Sequence, residues 1–268
     1  MSDHRATYRQ KPLRIFIGYD EREAMAFHVL AYSIWRRATG PVTITPLVRS
    51  HLRDIYTRPR GPLESTDFSL TRFLVPYLCG YEGHAVFMDC DMLCLTDITR
   101  LWEEIEAQYF RIAWVCQHPT YTPKDDVKFL GQPQTAYPMK NWSSFMVFNN
   151  AWCRTLTPDY VNTATGLQLH QFHWLSREAL KTITPPGTHH VMDKPGRPTG
   201  TEPFPGTLGT LDLSWNWLVG EYATNPDAKI LHYTLGGPWF SATAHCDQAE
   251  AWYDERTALL AAAPLVMA

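Results

Sequence analysis

The sequence predicts an α/β fold, a Rossmann-like central sheet flanked by helices, in a single domain spanning residues 1–268. Three observations predict it. Apolar runs of strand length alternate with segments of helical period. The chain opens strand, charged turn, helix, strand. The balance of 45% hydrophobic and 19% charged residues over 268 positions suits a folded chain with a sizeable buried core.

In chain order, Leu13–Gly18 is an apolar strand that runs into the charged turn Tyr19-Asp20-Glu21-Arg22. Phe27, Leu30, Ala31 and Ile34 then recur at i, i+3, i+4 and i+7, so a helix buries that face. Gly40-Pro41 stops it, and Val42–Val48 reads as the second strand. Sheets that open this way bind ligands beyond the carboxyl ends of their strands. No G-x-G-x-x-G occurs, which argues against an ordinary dinucleotide site. Ser69–Leu78 predicts a helix, His84–Met88 a buried strand and Ile98–Ala107 another helix. Arg111–Cys116, Phe145–Phe148 and Lys229–Leu231 suit central strands. Gln117–Asn141 and Thr184–Gly209 carry the Pro and Gly of long loops; the first, with Tyr121, Lys124, Lys128, Tyr137 and Lys140, is either a lid or a solvated loop. His189-His190 in the second reads as part of an insertion rather than a metal site.

Composition narrows the function classes. A net charge of −3 with interspersed signs does not point to a nucleic-acid partner. Ten Trp and thirteen Tyr give rings either for packing or for stacking on sugars. The six cysteines form no C-x-x-C, Met1–Arg14 lacks an apolar signal-like stretch, and no run reaches the roughly eighteen apolar residues of a membrane span. The expectation is a cytoplasmic protein with reduced thiols. The apolar end Thr257–Ala268 reads as a docked helix end, with peripheral association at the inner face of a membrane as the other reading.

Val86-Phe87-Met88-Asp89-Cys90-Asp91 carries the clearest chemistry. Residues i and i+2 of an extended chain point the same way, so Asp89 and Asp91 at a strand end can converge on one hard cation. Such an ion offsets charge on a leaving diphosphate. The plainer reading is that Asp89 ends a strand and Asp91 caps a turn. Dehalogenase-type phosphatases also use Asp-x-Asp, but there it opens the domain, whereas here it follows the third or fourth strand.

The surrounding pattern resembles glycosyltransferase family 8. Ser69-Leu70-Thr71-Arg72-Phe73-Leu74-Val75-Pro76-Tyr77-Leu78, then Ala85 to Asp91, then Leu95-Thr96-Asp97-Ile98 and Leu101-Trp102, follow the family's Arg-containing helix, Asp-x-Asp strand and next helix. Ile15-Phe16-Ile17-Gly18-Tyr19-Asp20 with Ser33-Ile34, Leu213-Ser214-Trp215-Asn216, and His232-Tyr233-Thr234 with Gly236-Gly237-Pro238-Trp239 are similar to its remaining motifs. The match covers residues 13–240, with a helical tail at 246–268.

That resemblance implies a GT-A fold with a mixed sheet. It implies a retaining transferase that moves a hexose from a nucleotide-diphosphate sugar, a UDP-sugar above others, to a hydroxyl of a glycan, lipid-linked or small-molecule acceptor. Asp89, Asp91 and His232 would hold Mn²⁺, which suits an imidazole-containing set better than Mg²⁺, the alternative ion. Ile17, Gly18, Tyr19 and Asp20 would form the base pocket, Asp20 reading uracil. Arg72 would reach the donor, its other role being an ion pair with Asp67 or another nearby acid. Cys90, Ser143 and Ser144 would line the donor site, and Gly236 and Gly237 would let backbone approach the pyrophosphate.

The chain departs from the family at the sugar end. Gly237 stands where the family has a phosphate-contacting Lys. Trp142-Ser143-Ser144 replaces an Asn-Ala-Gly-like segment. The family's Asp-Gln pair near the anomeric carbon has only Gln171, preceded by His170, as a candidate catalytic counterpart. These departures keep a catalytically silent sugar-nucleotide or glycan-binding protein as the alternative. A sugar nucleotidyltransferase is a further one, though its Gly-rich basic signature after the first strand is missing.

Overall fold

The computed structural model describes residues 11–61, 64–108, 111–118, 127–128, 132–133, 138–181 and 203–262. Strand β1 (Leu13–Tyr19) leads through the turn at Asp20 into helix α1 (Ala24–Arg37) and returns as β2 (Val42–Val48). The Asp20 side chain accepts from the Arg22 N–H at 3.0 Å and so caps the first turn. Helix α1 buries Phe27, Leu30, Ala31 and Ile34, the face that the period predicts.

A 3₁₀ turn (Thr71–Leu74) and the short helix α2 (Val75–Leu78) precede β3 (His84–Met88) and β4 (Met92–Cys94). The single helix expected over Ser69–Leu78 is therefore split. Pro76 has no N–H to give the carbonyl four residues back, so an α-helix starting at Ser69 lacks a bond where it needs one. Helix α3 (Leu101–Glu106), β5 (Ala113–Cys116), the pair β6 (Val127–Lys128) and β7 (Gln132–Pro133), and β8 (Phe145–Asn149) follow. Next come α4 (Pro158–Thr163), α5 (Gly166–His170), α6 (Arg177–Lys181), β9 (Leu208–Leu211), β10 (Trp217–Leu218), β11 (Ile230–His232) and α7 (Ala249–Ala262).

The main sheet has six strands in the order β2-β1-β3-β8-β5-β9. β1 runs parallel to β2 and β3, β8 is antiparallel to both β3 and β5, and β9 is parallel to β5. Its interior strands are continuous apolar runs, as strands covered on both faces must be: Val86, Phe87, Trp114, Val115, Val147 and Phe148 are all fully buried. Pro46 sits on the edge strand β2, where a missing N–H costs no ladder bond. A second sheet, β10-β11-β4, lies alongside, with Met92 opposite His232.

These directions bring chemistry to one rim. The carboxyl ends of β1, β3, β5 and β9 point the same way, and antiparallel β8 begins there, Phe145 facing Met88. Asp20, Asp89-Cys90-Asp91, His118, Trp142-Ser143-Ser144 and Asn216 all follow or precede strands at that rim. Near the end of the described chain, α7 docks on α1: Glu255 is buried and receives Arg37 Nη2 at 2.7 Å and Arg36 Nη1 at 3.4 Å. The helical tail is thus observed over Ala249–Ala262; residues 263–268 lie outside the described residues.

One loop expectation changes. Leu208 and Gly209 belong to β9, because a Cβ at Gly209 would overlap the Trp114 ring; that glycine serves close packing, not a turn. Residues 184–202, with His189 and His190, lie outside the described residues, as do Tyr121, Lys124 and Tyr137 of the first loop. Trp114, Trp174, Trp215 and Trp252 are fully buried, so packing uses up much of the ring surplus.

Candidate metal and nucleotide site

Asp89 directly follows β3 and Asp91 directly precedes β4, both held by backbone. The Asp89 N–H donates to the Ser144 carbonyl at 2.9 Å, and Asp91 C=O accepts from the Tyr233 N–H at 2.8 Å. The second bond ties the Asp-x-Asp turn to the residue after His232, the last residue of β11. Ligand atoms of Asp89, Asp91 and His232 consequently lie within 4.8 Å of one another.

The imidazole of His232 is buried, 2% exposed, and its role is set by its partners. Nδ1 meets Asn216 Oδ1 at 2.8 Å. The Asn216 amide nitrogen faces Ser144 Oγ at 2.9 Å and the Asn141 carbonyl at 3.2 Å. Ser144 Oγ itself donates to the Asn141 carbonyl at 2.6 Å, so its lone pairs face Asn216 and the amide nitrogen belongs on that side. Oδ1 is then an acceptor toward His232, which must carry its proton on Nδ1. Nε2 faces Asp91 Oδ1, 3.3 Å away. A contact of that length calls for a positive charge there, either a second ring proton or a bound cation. The donor set of two carboxylates and one imidazole, oriented from behind by an amide, fits a divalent cation.

Arg72, buried on the 3₁₀ turn, pairs with Asp89 Oδ1 at 2.9 Å and donates to the Ser143 carbonyl at 2.8 Å. Its guanidinium lies 4.8 Å from the Phe87 ring centre. Of its expected roles, the ion pair is the one observed, with Asp89 rather than Asp67; Asp67 pairs with Arg60 at 2.9 Å. Ser143 and Ser144 are both buried. Ser143 Oγ lies 2.7 Å from His170 Nδ1, so a continuous line of contacts runs Asp89, Arg72, Ser143, His170. Gln171 caps the end of α5 directly after His170 and is half-buried.

The base end is arranged differently. Asp20 is 3% exposed, and Arg22 grips it with both arms of its fork, Nε to Oδ1 at 2.9 Å and Nη2 to Oδ2 at 2.6 Å. The Asp67 N–H adds a bond to Oδ2 at 3.2 Å. Burial disfavours the Asp20 charge, but these hydrogen bonds and the Arg22 charge outweigh it and hold the carboxyl below its ordinary range. For Asp20 to read a base edge, Arg22 must release an oxygen. Ile17 is fully buried within β1, and Tyr19 is half-buried with its ring edge-on to Phe27 at 5.4 Å. A Cβ at Gly18 would overlap Phe68, and one at Gly237 would overlap Trp239, so packing already accounts for both glycines. Gly236 has φ +100°, a conformation glycine adopts freely.

Sequence reading gave no role to three residues of this rim. Glu23 is buried, its Oε2 accepting from Cys90 Sγ at 3.7 Å, and burial followed by the charges of Asp91, Asp20 and Asp89 pushes its carboxyl up to about 8. It continues the apolar face of α1, four residues before Phe27, and that period was the signal available for it. Asn216 closes one of the quoted motifs. His118, two residues past β5, had only its place beyond a strand's carboxyl end to mark it.

The 41% identity of this chain to Protein CDI of Arabidopsis thaliana extends over 255 residues, 92% of this chain and 86% of that protein. No protein-family model matches. Among solved structures, the glycosyltransferase GlyE of Streptococcus pneumoniae TIGR4 is similar with a TM-score of 0.54, 13% identity and 94% of this chain covered. The bifunctional glycosyltransferase WbbM gives 0.52, 14% and 91%. This chain spans 63% of the GlyE chain and 49% of the WbbM chain. The central mixed sheet flanked by helices is therefore a GT-A fold in a single domain. Among the described residues no helix is long and apolar enough to cross a membrane.

Proposed function

This chain belongs to the family of Protein CDI, and on that premise we propose that it is a glycosyltransferase moving a hexose from a UDP-sugar to an acceptor hydroxyl, with Mn²⁺ held by Asp89, Asp91 and His232. One observation carries the reading. Two carboxylates and one imidazole nitrogen converge within 4.8 Å, His232 Nε2 standing 3.3 Å from Asp91 Oδ1, at the carboxyl rim of a GT-A sheet.

When bound there, the ion offsets the charge that develops on a departing diphosphate. The remaining roles fall to the chain itself. Arg72 balances Asp89 and fixes its direction through Ser143. Asn216 keeps the proton of His232 on Nδ1, leaving Nε2 as a ligand. Gly236, at φ +100°, turns the backbone after β11 so that it follows the rim past the diphosphate position. His170, joined to this line through Ser143, and Gln171, the next residue, are the groups assigned to the sugar end. Retention of anomeric configuration follows from the resemblance to family 8, and the acceptor is a glycan, a lipid-linked sugar or a small molecule. The proposed setting is the cytoplasm, without a nucleic-acid partner.

The test is a panel of nucleotide sugars with Mn²⁺, followed by release of nucleoside diphosphate. Release from a UDP-hexose that stops in EDTA is the expected result. Equal release in EDTA overturns the metal assignment, and tight UDP binding without turnover of any donor makes the chain a silent sugar-nucleotide binder.

A further inference from the structure

Behind His232 the hydrogen bonds extend beyond Asn216. Ser144 Oγ and the Asn141 carbonyl are 2.6 Å apart and share one of the two Asn216 amide hydrogens. The other hydrogen points to His118 Nε2 at 3.2 Å. An acceptor at Nε2 makes His118 the Nδ1–H tautomer, and Nδ1 lies 2.9 Å from Tyr222 Oη. Tyr222 is itself fixed by its N–H bond to the Leu218 carbonyl at 3.0 Å and by Trp217, ring edge to face at 5.2 Å. His118 is 5% exposed, and burial above all pushes its pKa down to about 3, so the ring stays neutral.

We propose that His118 is a positioning residue for the metal ligand His232, which it never touches: by accepting from Asn216 it holds the amide with Oδ1 toward His232, and so selects the tautomer that offers Nε2 to the cation. The alternative state has a definite form. With the amide turned over, the Asn216 nitrogen would face His232 Nδ1, the His232 proton would move to Nε2, and that N–H would donate to Asp91. The ligand set would then be closed by an internal hydrogen bond. Ser144 and Asn141 satisfy only one amide hydrogen, so the second, in a fully buried residue, depends on His118. This assignment rests on the proposed metal role of His232.

The experiment compares His118→Gln, whose amide oxygen can replace Nε2, with His118→Asn, which is too short to do so. ¹⁵N spectra of the metal-free protein, followed upward in pH until the imidazole is neutral, report the His232 tautomer, and titration with Mn²⁺ alone reports affinity. Wild type and His118→Gln should show His232 protonated on Nδ1. His118→Asn should move the proton partly to Nε2 and weaken Mn²⁺ about tenfold, the scale of lost outer-shell support. If His118→Asn leaves tautomer and affinity unchanged, or if both variants lose them equally, the proposal is overturned. A tautomer that follows His118 in a chain without Mn²⁺ affinity upholds the positioning role and removes the metal reading instead.

Discussion

The two acidic ends of the rim are built on opposite plans. At the β3 end, Asp89 and Asp91 are fixed by main-chain bonds from neighbouring strands, Asp89 pairs with the buried Arg72, and the two carboxylates converge with His232 within 4.8 Å. At the β1 end, the Asp20 carboxylate is held by a two-armed guanidinium from two residues along its own chain and by a further N–H. At one end three ligand groups are gathered, with Arg72 on a single oxygen of Asp89, whereas at the other a guanidinium fork grips both oxygens of Asp20. The difference teaches where binding energy can come from: a cation at the first end meets ligands already gathered, while engaging Asp20 first requires breaking a two-armed ion pair.

Asp91→Asn tests the first end most severely. It removes one charge, keeps the shape, and should lower metal-dependent turnover by roughly 10²–10³-fold with little change in melting temperature. Asp89→Ala should differ from it. Turnover falls as far, but the buried Arg72 loses its partner, and a stability loss of about 3 kcal/mol should appear in denaturant unfolding. Equal stability of the two variants would break the assignment of Arg72 to Asp89.

His84 supplies a control at the opposite end of β3, packed edge-on to Trp102 at 5.4 Å. Burial, and then the Arg14 charge, lower its pKa to about 4. Its unfolded form takes up a proton near pH 6.5 and the native form does not until about pH 4. Native stability is therefore full above 6.5, lost as pH falls between the two values, and level below them. His84→Gln should flatten that loss, on the order of 2 kcal/mol, in urea unfolding across that range, with Mn²⁺ affinity unchanged. The smallest effect belongs to the base end. Arg22→Ala frees Asp20 and should tighten UDP about fivefold, the scale of a partly exposed ion pair, again without altering Mn²⁺ affinity. Weaker UDP binding would show that Arg22, not Asp20, serves the nucleotide.

Legibility in the sequence followed the same division. β1, α1, β2 and β3 could be read because period and composition are local properties, and their buried faces match. β4 and β10 were missed; with three and two residues they are too short to carry a period and exist through pairing with β11. Asp89, Asp91 and His232 were named from motif order, and the structure brings them together. The Arg22 grip on Asp20 was not anticipated, although the residues are adjacent but one, since a charged turn gives no sign of which charges turn inward. His118 and Asn216 meet across 98 positions of sequence, and no local pattern encodes such a contact.

The central claim, that Asp89, Asp91 and His232 clamp a diphosphate through a cation, is tested most directly by calorimetry of UDP binding to the whole chain with Mn²⁺ and with EDTA. The account predicts binding with Mn²⁺ that weakens at least about tenfold in EDTA and, with Mn²⁺ present, to the same degree in Asp91→Asn. A dissociation constant for UDP that is the same in all three titrations would contradict it.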